Sequence, residues 1–169
     1  MIVGDPNTFA IESEISVAYE RLSQRALGFF ALHVGGRCYG VRDWDATMLA
    51  CSLDGVGVRI KDRGAHAAGA IADGAAEVVA KAFSRAIYME HDPNEIFFGM
   101  QSHTFSDLIH SSKIMWAPDG DEAFDDGSYV LQFDVKDRVR LIAFKSSEGY
   151  LHDPATLSDA RELTATGGN

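Results

Sequence analysis

SYVLQFDVKDRVRLIAFK, residues 128–145, is the stretch whose reading decides the fold. Tyr129, Leu131, Phe133 and Val135 share one parity, Lys136-Asp137 offers a polar turn, and Val139, Leu141 and Ala143 then alternate against Arg140, Ile142 and Phe144. A two-residue period on both sides of a short turn predicts an antiparallel β-hairpin, because successive side chains of a strand point to opposite faces. Upstream of it, Lys113 to Ala117 reads as a short strand. Nearer the start, Phe9, Ile11, Ile15, Val17 and Tyr19 alternate with Glu12, Glu14, Ser16 and Glu20, which predicts a strand that buries the apolar set and leaves the acids in water. After a polar turn around Ser23 to Arg25, GFFALHV (28–34) is apolar enough for a strand covered on both faces, and Gly35-Gly36 supplies the positive φ values of a tight hairpin into RCYGV.

Helical patterns lie between these strands. Asp45 is a candidate cap for a short helix carrying Met48, Leu49 and Leu53 and ended by Gly55, after which Val56, Val58 and Ile60 suggest one more brief strand. The segment GAHAAGAIADGAA (64–76) reads as a mobile connector running into a helix capped by Asp73 or Gly74. In that helix Val79, Phe83 and Ile87 form an apolar stripe joined by Val78, Ala82 and Ala86, with Glu77, Lys81 and Arg85 on the opposite side. His91-Asp92-Pro93 marks its end. Asp153-Pro154 opens a last amphipathic helix with Leu157, Ala160 and Leu163, before ATGGN frays into solvent. The expected fold is α+β: a single domain over residues 1–169, an antiparallel sheet with helices packed on one face or end.

A chain of 169 residues with 46% hydrophobic content has material for one core. Its 15 basic against 25 acidic residues, net charge −10, argue against direct nucleic-acid binding, which draws its affinity from clustered cations, and point instead to a basic partner. Seven acids and one base, Lys136, fall between Ala117 and Asp137. Membrane insertion is not expected, since the apolar runs are too short to span a bilayer. The opening MIVGDPNTFAIESE meets Asp5 and Pro6 before any apolar signal region forms, so a cytoplasmic location is expected. Cys38 and Cys51 read as reduced packing residues.

The densest charge is DGDEAFDDG, residues 119–127, five carboxylates around Phe124. As a calcium loop it fails, with Ala123 at a ligand position and no closing Glu, and as a magnesium site it lacks a phosphate cradle. The histidines, His33, His66, His91, His103, His110 and His152, show no metal-binding spacing, so a zinc site would require a cluster assembled by the tertiary fold. Ser111-Ser112-Lys113 is too closely spaced for a Ser/Lys dyad, and Gly55-Val56-Gly57 does not extend to a dinucleotide fingerprint. No catalytic residue, metal or cofactor is therefore expected. A small metal-dependent hydrolase using the carboxylates between Asp119 and Asp126, above all Asp119, Asp121 and Asp125, is the alternative, and a homo-oligomeric scaffold a third.

The first residues add a resemblance. MIVGDPNTFAIESEI, through Gly4, Asp5, Pro6, Phe9, Ala10 and Ile11, resembles the opening of the immunity protein 42 family of bacterial polymorphic-toxin and contact-dependent growth inhibition loci. Gly28 to Arg37 and Tyr129 to Lys145 extend it, while the Ala/Gly-rich segment from Gly64 to Ala76 departs from it. The resemblance implies a cytoplasmic protein with no chemistry of its own that binds a cognate toxin domain, often a nuclease such as an RNase acting on tRNA, as a 1:1 complex. A nuclease cleft is basic, so the acidic stretch becomes the candidate toxin-binding site: Asp119, Asp121, Glu122, Asp125 and Asp126 as the charged rim and Phe124 as the apolar anchor.

Overall fold

The hairpin read from residues 128–145 lies at the centre of the molecule. In the computed structural model, which describes residues 1–19, 26–89, 92–146 and 157–166, it comprises β9 (Ser128–Val135) and β10 (Arg138–Ser146), with Phe144 opposite Tyr129 and Ile142 opposite Leu131. Lys136 takes φ 57° in the turn between them. Two further strands, β8 (Met115–Ala117) beside β9 and β11 (Leu157–Thr166) beside β10, complete a four-stranded antiparallel sheet in the order β11-β10-β9-β8. A second antiparallel sheet contains β1 (Ile2–Asp5), β2 (Phe9–Val17), β3 (Leu27–Val34) and β4 (Arg37–Tyr39) in chain order, with β5 (Thr47–Met48) also pairing with β3. A small ribbon joins β6 (Ile96–Phe97) to β7 (Met100–Gln101). The α-helices are α1 (Leu49–Lys61), α2 (Ala76–Tyr88) and α3 (Ser102–Ser111).

Both faces of the central hairpin are buried, and its side-chain parity sorts the molecule into layers. Tyr129, Leu131, Phe133, Ile142 and Phe144 point one way and pack against Val79, Phe83 and Ala86 of α2 and Phe105 and Ile109 of α3. Val130, Leu141 and Ala143 point the other way and meet Phe30, Leu32, Val34 and Tyr39 of the first sheet. The fold is thus α+β, a sheet-on-sheet sandwich with α2 and α3 on the outer face of the central sheet. Arg140 is buried among the apolar residues of the helix side, where it donates to the Ala72 carbonyl and pairs with Glu162 at 2.7 Å.

Several sequence expectations are corrected here. The first strand buries Ala10 and Glu12 and leaves Ile15 64% exposed, while Phe9 and Ile11 pack partly on the inter-sheet core, so its start is covered on both faces and its end opens to water. Residues 56–60 form no strand: α1 continues through Gly55 and Gly57 to Lys61. Its inner line is Leu49, Ser52, Val56 and Arg59, helical spacing in which two members are polar, and a pattern read from apolar residues alone cannot find it. The anticipated caps are absent as well, since the residues before α1 and α2 are Met48 and Ala75, neither with a side-chain cap.

The Gly/Ala-rich connector is packed rather than mobile, with His66, Ala68, Ile71 and Ala72 all buried. Val78 lies outside the stripe of α2 at 53% exposure, whereas Val79, Ala82, Phe83 and Ala86 are buried and Glu77–Lys81 form an i,i+4 pair at 2.5 Å. The final amphipathic segment is β11, not a helix: it runs antiparallel along β10 from Leu157 opposite Ser146 to Thr166 opposite Arg138. That edge of β10 presents backbone donors and acceptors that need partners, and this demand outweighs an i, i+3 apolar spacing. The turn at Ser23–Arg25, His91, His152 and Asp153-Pro154 lie outside the described residues. Among the described residues, no helix is long and apolar enough to cross a membrane.

Candidate functional site

β8 delivers the chain to a cis Ala117–Pro118 bond and then to the acidic loop. Asp119 (φ 38°) and Gly120 (φ 80°) turn the backbone left-handed, and Asp121 N donates to the Pro118 carbonyl at 2.7 Å to close the turn. A short 3₁₀ turn, Glu122–Phe124, follows. The Asp121 carboxylate caps it by accepting from Ala123 N at 2.9 Å, and the same oxygen accepts from Thr47 Oγ1 at 2.8 Å, which ties the loop to the strand before α1. Val41 N donates to the Ala123 carbonyl at 2.7 Å. At the far end Asp126 accepts from Ser128 N at 3.1 Å and pairs with Lys145.

These bonds divide the sequence candidates. Asp121 and Asp126 point inward as struts that hold the loop. Phe124 is 3% exposed and meets Phe30 edge-on at 6.1 Å within the inter-sheet core, so it is not displayed as an anchor. Asp119, Glu122 and Asp125 are exposed. Three carboxylates of the braced loop are thus exposed, with no lysine or arginine within the loop itself.

Beside this loop, α1 borders a cleft of about 330 Å³ lined by Ser52, Val58, Arg59, Trp116, Asp119 and Asp121 among others. Arg59 is 7% exposed, donates to the carbonyls of Lys113 and Met115, and lies 6.0 Å from the Trp116 ring centroid. Burial pushes its pKa down, and the carboxylates of Asp119, Asp134 and Asp62 partly restore it. His66, fully buried, places Nδ1 3.2 Å from the Ser112 carbonyl and 3.4 Å from Arg59 Nη1. Asp134 accepts from Gly64 N at 2.6 Å and His66 N at 3.2 Å, and so fastens the connector to β9.

No sequence pattern marks this polar floor, because the alternation of Val56, Val58 and Ile60 puts Arg59 on a strand and the Gly/Ala composition of 64–76 puts His66 in a mobile connector. A second network, likewise unmarked by any pattern, lies on the outer face of the first sheet. There Glu12 accepts from Arg42 Nη2 at 2.7 Å and lies 2.8 Å from His33 Nε2. Burial pushes the Glu12 carboxyl up, but the His33 hydrogen bond and the Arg42 guanidinium overcome this and hold it below the usual range. The signal available was His33 itself, a histidine inside a strand otherwise made of core residues. The hydrolase alternative finds little in the loop, where Asp121 is committed to Thr47 and Ala123, and none of its acids falls in a three-donor metal cluster among the described residues.

A profile of the immunity protein 42 family matches residues 1–164. The chain belongs to the immunity protein 42 family. An immunity protein acts by neutralising a toxin, and membership of Imm42 gives this chain that role. The chain is also similar in fold to a solved structure, the crystal structure of CdiI from Burkholderia dolosa AUO158, with TM-score 0.61 and 17% identity over 99% of this chain and 92% of that one. No curated protein sequence matches the chain.

Proposed function

We propose that this Imm42 chain neutralises its cognate toxin by forming a 1:1 complex in the cytoplasm, with no catalytic step of its own, and that the toxin is a nuclease, such as a tRNase or other RNase, with a cationic cleft. Family membership and the likeness to CdiI support the immunity role. The observation that carries the choice of surface is the division of labour in the acidic loop: two carboxylates fix its shape and three, Asp119, Glu122 and Asp125, are left facing solvent. Like charges held together on an ordered surface repel one another in the free protein, and a basic cleft turns that repulsion into attraction during approach. Net charge −10 extends the same field beyond the loop.

The test is association kinetics with the toxin domain encoded beside this chain. The variant Asp119→Asn/Glu122→Gln/Asp125→Asn is expected to associate roughly tenfold or more slowly at low salt, with the difference shrinking as salt is raised toward the regime where the Debye length is about 3 Å. Asn is suited to position 119 because it tolerates the left-handed conformation there. An unchanged association rate with an intact fold rejects this surface, and a toxin domain without a basic cleft rejects the nuclease reading.

A further inference from the structure

The fold assembles what the sequence spacing lacked. Glu12 on β2, His33 on β3 and Cys38 on β4 lie side by side on the outer face of the first sheet, and their donor atoms all fall within 4.8 Å of one another. Strand register explains the meeting. His33 is directly opposite Cys38 across the Gly35-Gly36 turn, and Ala10 is opposite His33, which places Glu12 diagonally adjacent on the same face. We propose that these three side chains form a zinc-binding site, with water in the fourth position.

The chemistry of the donors fits this ion. A carboxylate oxygen, an imidazole nitrogen and a thiolate sulfur are the three ligand types zinc takes from proteins, and a soft sulfur beside an imidazole discriminates against magnesium and calcium. Tetrahedral zinc holds such donors roughly 3.3–3.6 Å apart. His33 Nε2 and Glu12 Oε2 are 2.8 Å apart, so the ion enters by opening this hydrogen bond by about half an ångström and drawing Cys38 inward. The other oxygen of Glu12 already accepts from Arg42, whose guanidinium lies 5.6 Å from the centroid of the Phe29 ring. A carboxylate oriented by a partner on its second oxygen is the usual outer support of a metal ligand. The His33 and Glu12 side chains retain 13% and 10% exposure, and Cys38 is partly exposed. Coordination releases the thiol proton to solvent, and no redox change is involved.

The site is tested with the untagged, metal-free chain carrying Cys51→Ser, which removes the exposed second thiol. Cobalt(II), the spectroscopic substitute for zinc, is expected to produce a sulfur-to-cobalt charge-transfer band and the intense visible bands of tetrahedral coordination, both displaced by one equivalent of zinc. Adding Cys38→Ser is expected to abolish the charge-transfer band, and His33→Gln to weaken zinc binding at least tenfold, with circular dichroism reporting that each variant is folded. Zinc is also expected to raise the melting temperature of the parent and not that of the Cys38→Ser variant. A charge-transfer band that is absent in the parent, or that persists without Cys38, overturns the proposal. If Cys38→Ser does not fold, His33→Gln decides alone: unchanged zinc affinity rejects the site.

Discussion

Phe124 shows how far a single residue can be read from its neighbours in sequence. Carboxylates on both sides make it look like an exposed apolar anchor, yet its ring is set by Phe30, a residue in another sheet, and it belongs to the core. Phe124→Ala is accordingly expected to cost about 3–5 kcal/mol of stability, measured by urea unfolding, and any loss of toxin binding in that variant should follow the loss of fold. Arg59 is the converse case, a charged side chain used as a staple. Replacing it with Met removes the donors to the Lys113 and Met115 carbonyls and is expected to cost about 2–4 kcal/mol, read in the same experiment. Neither role was legible locally, because burial at both positions is decided by contacts far outside any sequence window. Glu12 fell to the same limit: strand alternation assigned it to water, and its partner His33 lies 21 residues away.

Elements were legible where periodicity is carried by apolar residues and obscured where it is not. The hairpin of β9 and β10, the stripe of α2 and the Gly35-Gly36 turn follow the sequence directly, since each writes its pattern in residues such as Leu, Phe, Val and Gly. In α1 the inner line includes Ser52 and Arg59, and the helix carries two glycines, Gly55 and Gly57. Nothing lies within 4 Å of a Cβ added at Gly55 or Gly57. Gly55→Ala and Gly57→Ala should each therefore stabilise the protein by about 0.5–1 kcal/mol, seen as a raised melting temperature; a drop would mean that the helix is not continuous there. At the end of α1, Asp62 is bonded by Lys113 at 2.5 Å, and that hydrogen bond lowers its pKa below the ordinary 3.8. A carboxyl lowered by folding contributes stability that is present above pH 3.8 and lost as pH falls through its lower folded value. Both groups are largely solvated, so a small acid-dependent difference between the parent and Asp62→Asn is expected in melts below pH 4, with the parent losing its advantage. β11 reads as a helix in the sequence because the pairing demand of the β10 edge is a property of the sheet and leaves no mark in the strand's own composition.

At the scale of the whole molecule, the α+β class was readable and the order of layers was not. Which sheet lies on which face depends on the hairpin being apolar on both sides, through Tyr129 and Phe144 on one and Val130 and Leu141 on the other. The two cores share this hairpin, so neither can open without exposing it. Hydrogen exchange is expected to be slowest in β9 and β10, with urea unfolding a single transition by far-UV circular dichroism and by tryptophan fluorescence; separate midpoints would show that the layers unfold independently. The acidic loop sits on this shared body and carries its own internal bracing at Asp121 and Asp126. On the proposed toxin-facing role of the exposed carboxylates, descendants of this gene can inherit 121, 124 and 126 unaltered while trading the residues at 119, 122 and 125, so that recognition diversifies between lineages without the scaffold having to evolve alongside it.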